Sequence, residues 1–279
     1  LNAAVSNMVG LSVTSGRNFS TPAAGTMSLG AGGLNVAVSG TTTINGAIST
    51  ANNGAVTFTN GGTLAVNADI SAGGAVTQNG AGAGTVGGSG TRTITTTADD
   101  VNFLRGVTLS SPLTINTAGT GAGTGDITFQ GTLDGGQNLT LTAGSSNILF
   151  TGAVGGSTRL GAIQVNSANN VTESAGITAA SLVQSAGTGT TTFTGAVNTN
   201  TSTGVNLTTN AVTANGAITT TSNGVVTFTN AGTLAVNADI SADGAVTQNG
   251  AGAVTVGGSG TRTITTTADD VNFLRGVTL

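Results

Sequence analysis

The stretch Gly54 to Leu109 reads GAVTFTNGGTLAVNADISAGGAVTQNGAGAGTVGGSGTRTITTTADDVNFLRGVTL, and it returns at Gly224 to Leu279, offset by 170 residues, with four changes in 56 positions. Those changes are Ala55 to Val225, Gly61 to Ala231, Gly73 to Asp243 and Gly84 to Val254. A looser match between Gly33 to Gly46 and Gly204 to Gly216 extends the similarity upstream, so residues 110 to 279 make one full period. Self-similarity at a fixed interval marks a repeat architecture, in which a unit cannot bury its apolar face alone and stacks on its neighbours. Leu109 continues into Ser110-Ser111-Pro112, so the array is expected to run on past Leu279.

A shorter beat lies inside the long one. The step glycine, small residue, aliphatic recurs at Gly131-Thr132-Leu133, Gly152-Ala153-Val154, Gly195-Ala196-Val197 and Gly216-Ala217-Ile218, at intervals of 21, 43 and 21. Phe129, Phe150 and Phe193 echo it, and eight units of about 21 would fill the long period. Within a unit, apolar and polar residues alternate, as in Arg92-Thr93-Ile94-Thr95, Asp126-Ile127-Thr128-Phe129 and Asn138-Leu139-Thr140-Leu141. Alternation over a few residues, ended by Gly, Asn, Asp or Ser, is the signature of half-buried strands bounded by turns. Branching at Cβ favours extended backbone at the many Thr and Val positions. Short strands, tight corners and this period predict an all-β fold, a parallel β-helix (β-solenoid) running unbroken over residues 1–279 with about 21 residues per coil. Each coil would supply two or three strands around a narrow column of Val, Ile, Leu, Ala and occasional Phe, and roughly 13 coils at about 4.8 Å would give a rod on the order of 60 Å long.

Composition removes the competing classes. Glycine fills 47 positions and threonine 55, while charged residues are 6% of the chain, far below the usual level of about 25%. Two prolines, a net charge of −4 and 37% hydrophobic residues are unlike a disordered chain, and no Gly-X-Y period suggests collagen. Propeller blades need about 40 to 50 residues and larger aromatic landmarks than these eight phenylalanines. Apolar runs such as Ile148 to Phe150 fall far short of the roughly 20 residues that span a bilayer. Six arginines among ten acids argue against nucleic acid as a partner.

The strings TTFTGAVNTN (191–200), GVVTFTNAGTLAVNADISADGAVTQNGAG (224–252) and NILFTGAVGG (147–156) resemble the repeats of bacterial surface proteins, the filamentous-haemagglutinin-like exoproteins and β-strand-repeat adhesins. The resemblance rests on repeat style across most of the chain. It implies a right-handed parallel β-helix, export to the cell exterior by a two-partner or autotransporter route, and a role in adhesion, aggregation or surface filaments. The secretion domain that marks export in that family has no counterpart among these residues.

Cysteine, histidine, tryptophan, tyrosine and lysine are absent, which removes thiolate and imidazole metal sites, Ser-His-Asp and Cys-His catalysis and the P-loop lysine that the glycine-rich string Gly119 to Gly125 would need. The acids Asp69, Asp99, Asp100, Asp126, Asp134, Glu173, Asp239, Asp243, Asp269 and Asp270 are the general acid/base groups left. Polysaccharide-active β-helices combine clustered carboxylates with aromatic platforms, and the platforms are missing, so no catalytic, cofactor or metal residue is assigned. Asp99-Asp100 and their copies Asp269-Asp270 could ligate calcium, but with Arg92 and Arg105 nearby, turn capping or an ion pair between adjacent coils accounts for them without a metal. The nonapeptide of calcium-binding β-rolls is not met, since Gly87-Gly88-Ser89-Gly90-Thr91 is followed by Arg92. Threonine ladders raise an ice-binding face as a further reading, although Thr is also the ordinary outward residue of a weakly charged β-helix. The expected role is a structural, non-enzymatic rod of an extracellular or cell-surface fibre, self-associating head-to-tail or laterally, with direct adhesion to cell-surface glycans through Asn and Thr as the alternative.

Overall fold

The computed structural model describes residues 5–119 and 125–279, so most of the string 119–125 lies outside the described residues. Among them the chain is all strand, without a helix. Three consecutive strands show how one turn is made: Val56–Asn60 lays down face 1, Leu64–Val66 face 2 and Ile70–Ala72 face 3. In each, the first and third residues are buried and the second points outward, as the alternation requires. Glycine and asparagine corners separate them. Val76–Gln78 then returns to face 1 and pairs in parallel with Val56–Asn60, Val56 beside Val76 and Phe58 beside Gln78.

About 12 such turns follow one another at a spacing of about 22 residues. The spacing is uneven, 20 residues from Val56 to Val76 but 25 from Val76 to Val101. At about 4.8 Å per turn the described rod is roughly 55 Å long. The short beat read from sequence is the face 2 column, in which Leu133, Val154, Ile177, Val197 and Ile218 stack in order, so the interval of 43 spans two turns.

Eight whole turns per long period, the extrapolation from that beat, is not what the chain does. From Val56, face 1 is met again at Val76, Val101, Ile127, Ile148, Val171, Thr191 and Val212. The chain then covers face 2 with Ile218–Thr220 and reaches face 3 at Val226–Asn230, the counterpart of Val56–Asn60. One long period is therefore seven turns and two faces, and the second copy is rotated by one face relative to the first. Local structure survives the rotation. Thr59 donates to Asn79 Oδ1 at 2.7 Å on face 1, and Thr229 to Asn249 Oδ1 at 2.6 Å on face 3. Asp69 accepts the Thr93 N–H and Asp239 the Thr263 N–H, both at 3.0 Å.

The core is a column of aliphatics with one aromatic file. Behind face 1 the inward positions run Phe58, Gln78, Phe103, Phe129, Phe150, Glu173 and Phe193, one per turn. Phe103, Phe129 and Phe150 stack with centroids 5.4 and 5.6 Å apart and planes within 10°. The exposed large apolar side chains among the described residues, Met8 and Val9 at one end and Val271, Leu274, Val277 and Leu279 at the other, all belong to the first and last turns.

Candidate functional site: the corners of the rod

Strand stacking places the charged side chains at corners, where backbone N–H and C=O groups of the next or preceding turn need partners. At the corner leading into face 1, Asp100 Oδ1 accepts the Asp126 N–H at 2.8 Å, and Asp126 Oδ1 accepts the Asn147 N–H at 2.8 Å. Asn147 Oδ1 then accepts the Asn170 N–H at 3.2 Å and Asn170 Oδ1 the Thr190 N–H at 2.8 Å. These five turns form one ladder in which aspartate and asparagine do the same work. Asp134 likewise accepts from Ser157 and Thr158 at 2.8 and 3.2 Å. Asp99 and Asp269 close their own corners, each accepting on its backbone carbonyl from Thr96 or Thr266.

The arginines meet carbonyl oxygens. Arg105 Nε donates to Gly80 O at 3.0 Å, its copy Arg275 to Gly250 O at 3.2 Å, and Arg159 Nη1 reaches Ala179 and Asn198 carbonyls one and two turns on, at 2.7 and 3.1 Å. Turn capping by Asp100 is thus observed. An ion pair between adjacent turns is present as well, but with another acid than Asp99 or Asp100: Arg92 lies 3.8 Å from Asp69, the carboxylate that the turn below sets beside it.

Asp243 stands where the first copy has Gly73. Its Oδ2 accepts the Asn223 N–H at 2.7 Å, in a corner where Ser222 and Asn223 both have φ of 58°. That N–H, with the Thr267 hydroxyl and the Ser222 N–H, holds the carboxyl below its ordinary 3.8, against a push upward from burial. Glu173, fully buried, is the acid whose surroundings the sequence did not disclose. It occupies a phenylalanine place in the aromatic file, between Phe150 and Phe193, and its carboxyl oxygens accept the N–H groups of Gly176 and Gly195, the latter at 3.0 Å. Its sole sequence signal is its position 23 residues after Phe150 and 20 before Phe193, which is legible once the register is known.

Compared with known proteins, the chain matches no family model, no curated protein and no solved structure. Chemistry must therefore be read from the surface alone. Among the described residues no three acidic side chains converge where a cation could sit, and Asp99, Asp100, Asp269 and Asp270 form no such group. Among them, too, no helix is long and apolar enough to cross a membrane. Face 1 presents Thr57, Thr77, Thr128, Thr172, Thr192 and Thr213 in one outward file, interrupted by Asn102 and Leu149. A shallow groove of about 490 Å³ crosses the corner between faces 3 and 1, lined by Thr208, Thr209, Asn210, Thr229, Asn230 and neighbouring small residues, without charge or aromatic ring.

Proposed function

We propose that the chain is a structural, non-catalytic rod of a bacterial cell-surface or secreted fibre that associates with further copies of itself. The observation that carries this reading is the use of the charged groups: Asp69, Asp100, Asp126, Asp134, Asp239 and Glu173 accept backbone N–H groups, and Arg92, Arg105, Arg159, Arg262 and Arg275 donate to backbone carbonyls. Groups held in this way stabilise a scaffold and are poorly placed to turn over a substrate. Two further features support association. So few like charges oppose the approach of a second rod, and the outward file of face 1 from Thr57 to Thr213 is neutral. Placement on the bacterial exterior rests on the repeat style of residues 147–156, 191–200 and 224–252.

Electron microscopy of the purified chain tests the reading. Rods that join into longer or thicker filaments are expected; separate short particles at every concentration would remove the self-associating role. Antibody labelling of intact cells tests the location, and labelling that requires lysis would remove it. The corner groove favours a second reading, direct adhesion to neutral glycans through threonine and asparagine. A glycan array without signal eliminates it.

A further inference from the structure

The segment Asp99-Asp100-Val101-Asn102-Phe103-Leu104-Arg105 brackets one strand of face 1 with charges of opposite sign. Val101 and Phe103 are buried, Asn102 points outward, the two aspartates stand at the corner where the chain enters the face, and Arg105 stands exposed at the corner where it leaves. Asp126, one turn on, extends the acidic edge. Between the edges the outward file Thr57, Thr77, Asn102, Thr128 and Leu149 carries no charge. Face 1 thus carries at this level a neutral strip with acidic residues at the edge where the chain enters and Arg105 at the edge where it leaves.

Such a strip is complementary to itself in one orientation. A twofold axis parallel to the rod brings the acidic edge of one copy against the basic edge of the other on both sides at once. A twofold axis across the rod, which makes the copies antiparallel, sets acid against acid. We propose that the partner of face 1 is the same face of a second copy, with the rods parallel, Asp99 and Asp100 opposite Arg105, and Asn102 opposite Asn102. This rests on the self-association proposed above and names its surface and polarity. Exposed charge pairs of this kind select orientation more than they supply affinity, which comes from the area of the neutral strip.

The long repeat extends the inference. Asp269-Asp270-Val271-Asn272-Phe273-Leu274-Arg275 repeats the bracket without change, and its strand Val271–Phe273 lies on face 3. Because one period is seven turns and two faces, the same strip is offered on two sides of the rod. A chain with two such faces takes a neighbour on each, so assembly proceeds past the dimer to sheets or bundles.

Sedimentation velocity of the full chain and of the variants Arg105→Glu, Arg275→Glu and the double substitution tests this, with circular dichroism as the check on folding and Arg105→Gln as a milder replacement. The wild type is expected to form species beyond the dimer that weaken as salt is raised, since exposed charges are screened. Each single variant should stop at dimers through its remaining face, and the double variant should lose association at least tenfold. The chain has no cysteine, so Asn102→Cys should give a disulfide-linked dimer on oxidation, as a seam centred on Asn102 requires, and Asp100→Cys mixed with Arg105→Cys should give a mixed disulfide, which the parallel arrangement alone allows. A double variant that assembles like wild type, or an assembling Asn102→Cys chain with no disulfide dimer, overturns the bracket and leaves self-association standing. A wild type that is monomeric throughout overturns self-association itself.

Discussion

At the scale of residues, Glu173 and Asp243 show how much one position depends on the turn beside it. Glu173 replaces a phenylalanine in the file, and its buried carboxyl group serves the N–H groups of two half-buried corner glycines, Gly176 and Gly195. Glu173→Ala takes the acceptor from both half-buried donors, at up to about 1–3 kcal/mol for each unsatisfied group. A loss of about 2–4 kcal/mol in denaturant unfolding is expected, with Glu173→Gln losing less because one acceptor remains; an unchanged midpoint for the alanine variant would refute this account. Asp243 has its carboxyl held down by the Asn223 N–H. A carboxyl with a lowered folded-state value adds stability that is fully present above its ordinary 3.8 and disappears as pH falls through the lowered value. Asp243→Gly, the residue of the other copy, should therefore lower the thermal midpoint near neutral pH and make little difference by about pH 2. Parallel midpoint curves for the two proteins across that range would contradict it.

At the scale of elements, corners decide which residues the strands can be joined by. Gly252 is the sharpest case: a Cβ there would lie 1.5 Å from the Gly232 carbonyl oxygen of the turn below. Gly136, by contrast, has nothing within 4 Å of that place. Gly252→Ala is expected to lower the melting temperature strongly and Gly136→Ala to leave it nearly unchanged; equal effects would mean that the corners give way. The two copies already contain a test of this rule. Gly84, a strand position where a Cβ would make an ordinary 3.4 Å contact with Val107, is Val254 in the second copy, but the corner Gly61, where a Cβ would lie 2.4 Å from the Ser39 carbonyl oxygen, is Ala231 there, over a different turn. The strands themselves gain from stacking like on like. Phe129→Ala removes the centre of a three-ring stack and should cost about 3–5 kcal/mol, read as a shifted unfolding midpoint.

At the scale of the whole molecule, the rod is a one-dimensional stack in which each turn is held by its two neighbours. Residues 85–109 and 255–279 are identical in sequence but differ in company. Val101 is 0% exposed in mid-rod, while its twin Val271 is 41% exposed in the last turn. In the 279-residue chain taken by itself, amide hydrogen exchange is expected to be at least tenfold slower in the first copy than in the second. Peptides that include Gly84 or Val254 differ in mass and can be followed separately. Equal protection would mean that stability is set within a turn and not between turns. Side-by-side assembly through faces 1 and 3, as proposed, belongs to this scale as well, since the bracket of Asp99 to Arg105 comes back on a second face only after seven turns and two faces have stacked.

Alternation in Asp126-Ile127-Thr128-Phe129 and its many relatives was enough to place strands, and glycine with asparagine was enough to place corners, because both are local consequences of backbone sterics. The face 2 beat at Leu133, Val154, Val197 and Ile218 carried the turn length for the same reason. Which face a segment occupies was not legible. Strands on all three faces share one pattern, and the sum of uneven corners, not the pattern, sets the phase, so Val56 and Val226 look alike in sequence and stand on different sides of the rod. Partners across turns were hidden likewise: Arg92 meets Asp69 and not the neighbouring aspartates, and Glu173 joins a phenylalanine file, because contacts some 20 to 26 residues apart follow from register, which only the stacked structure fixes.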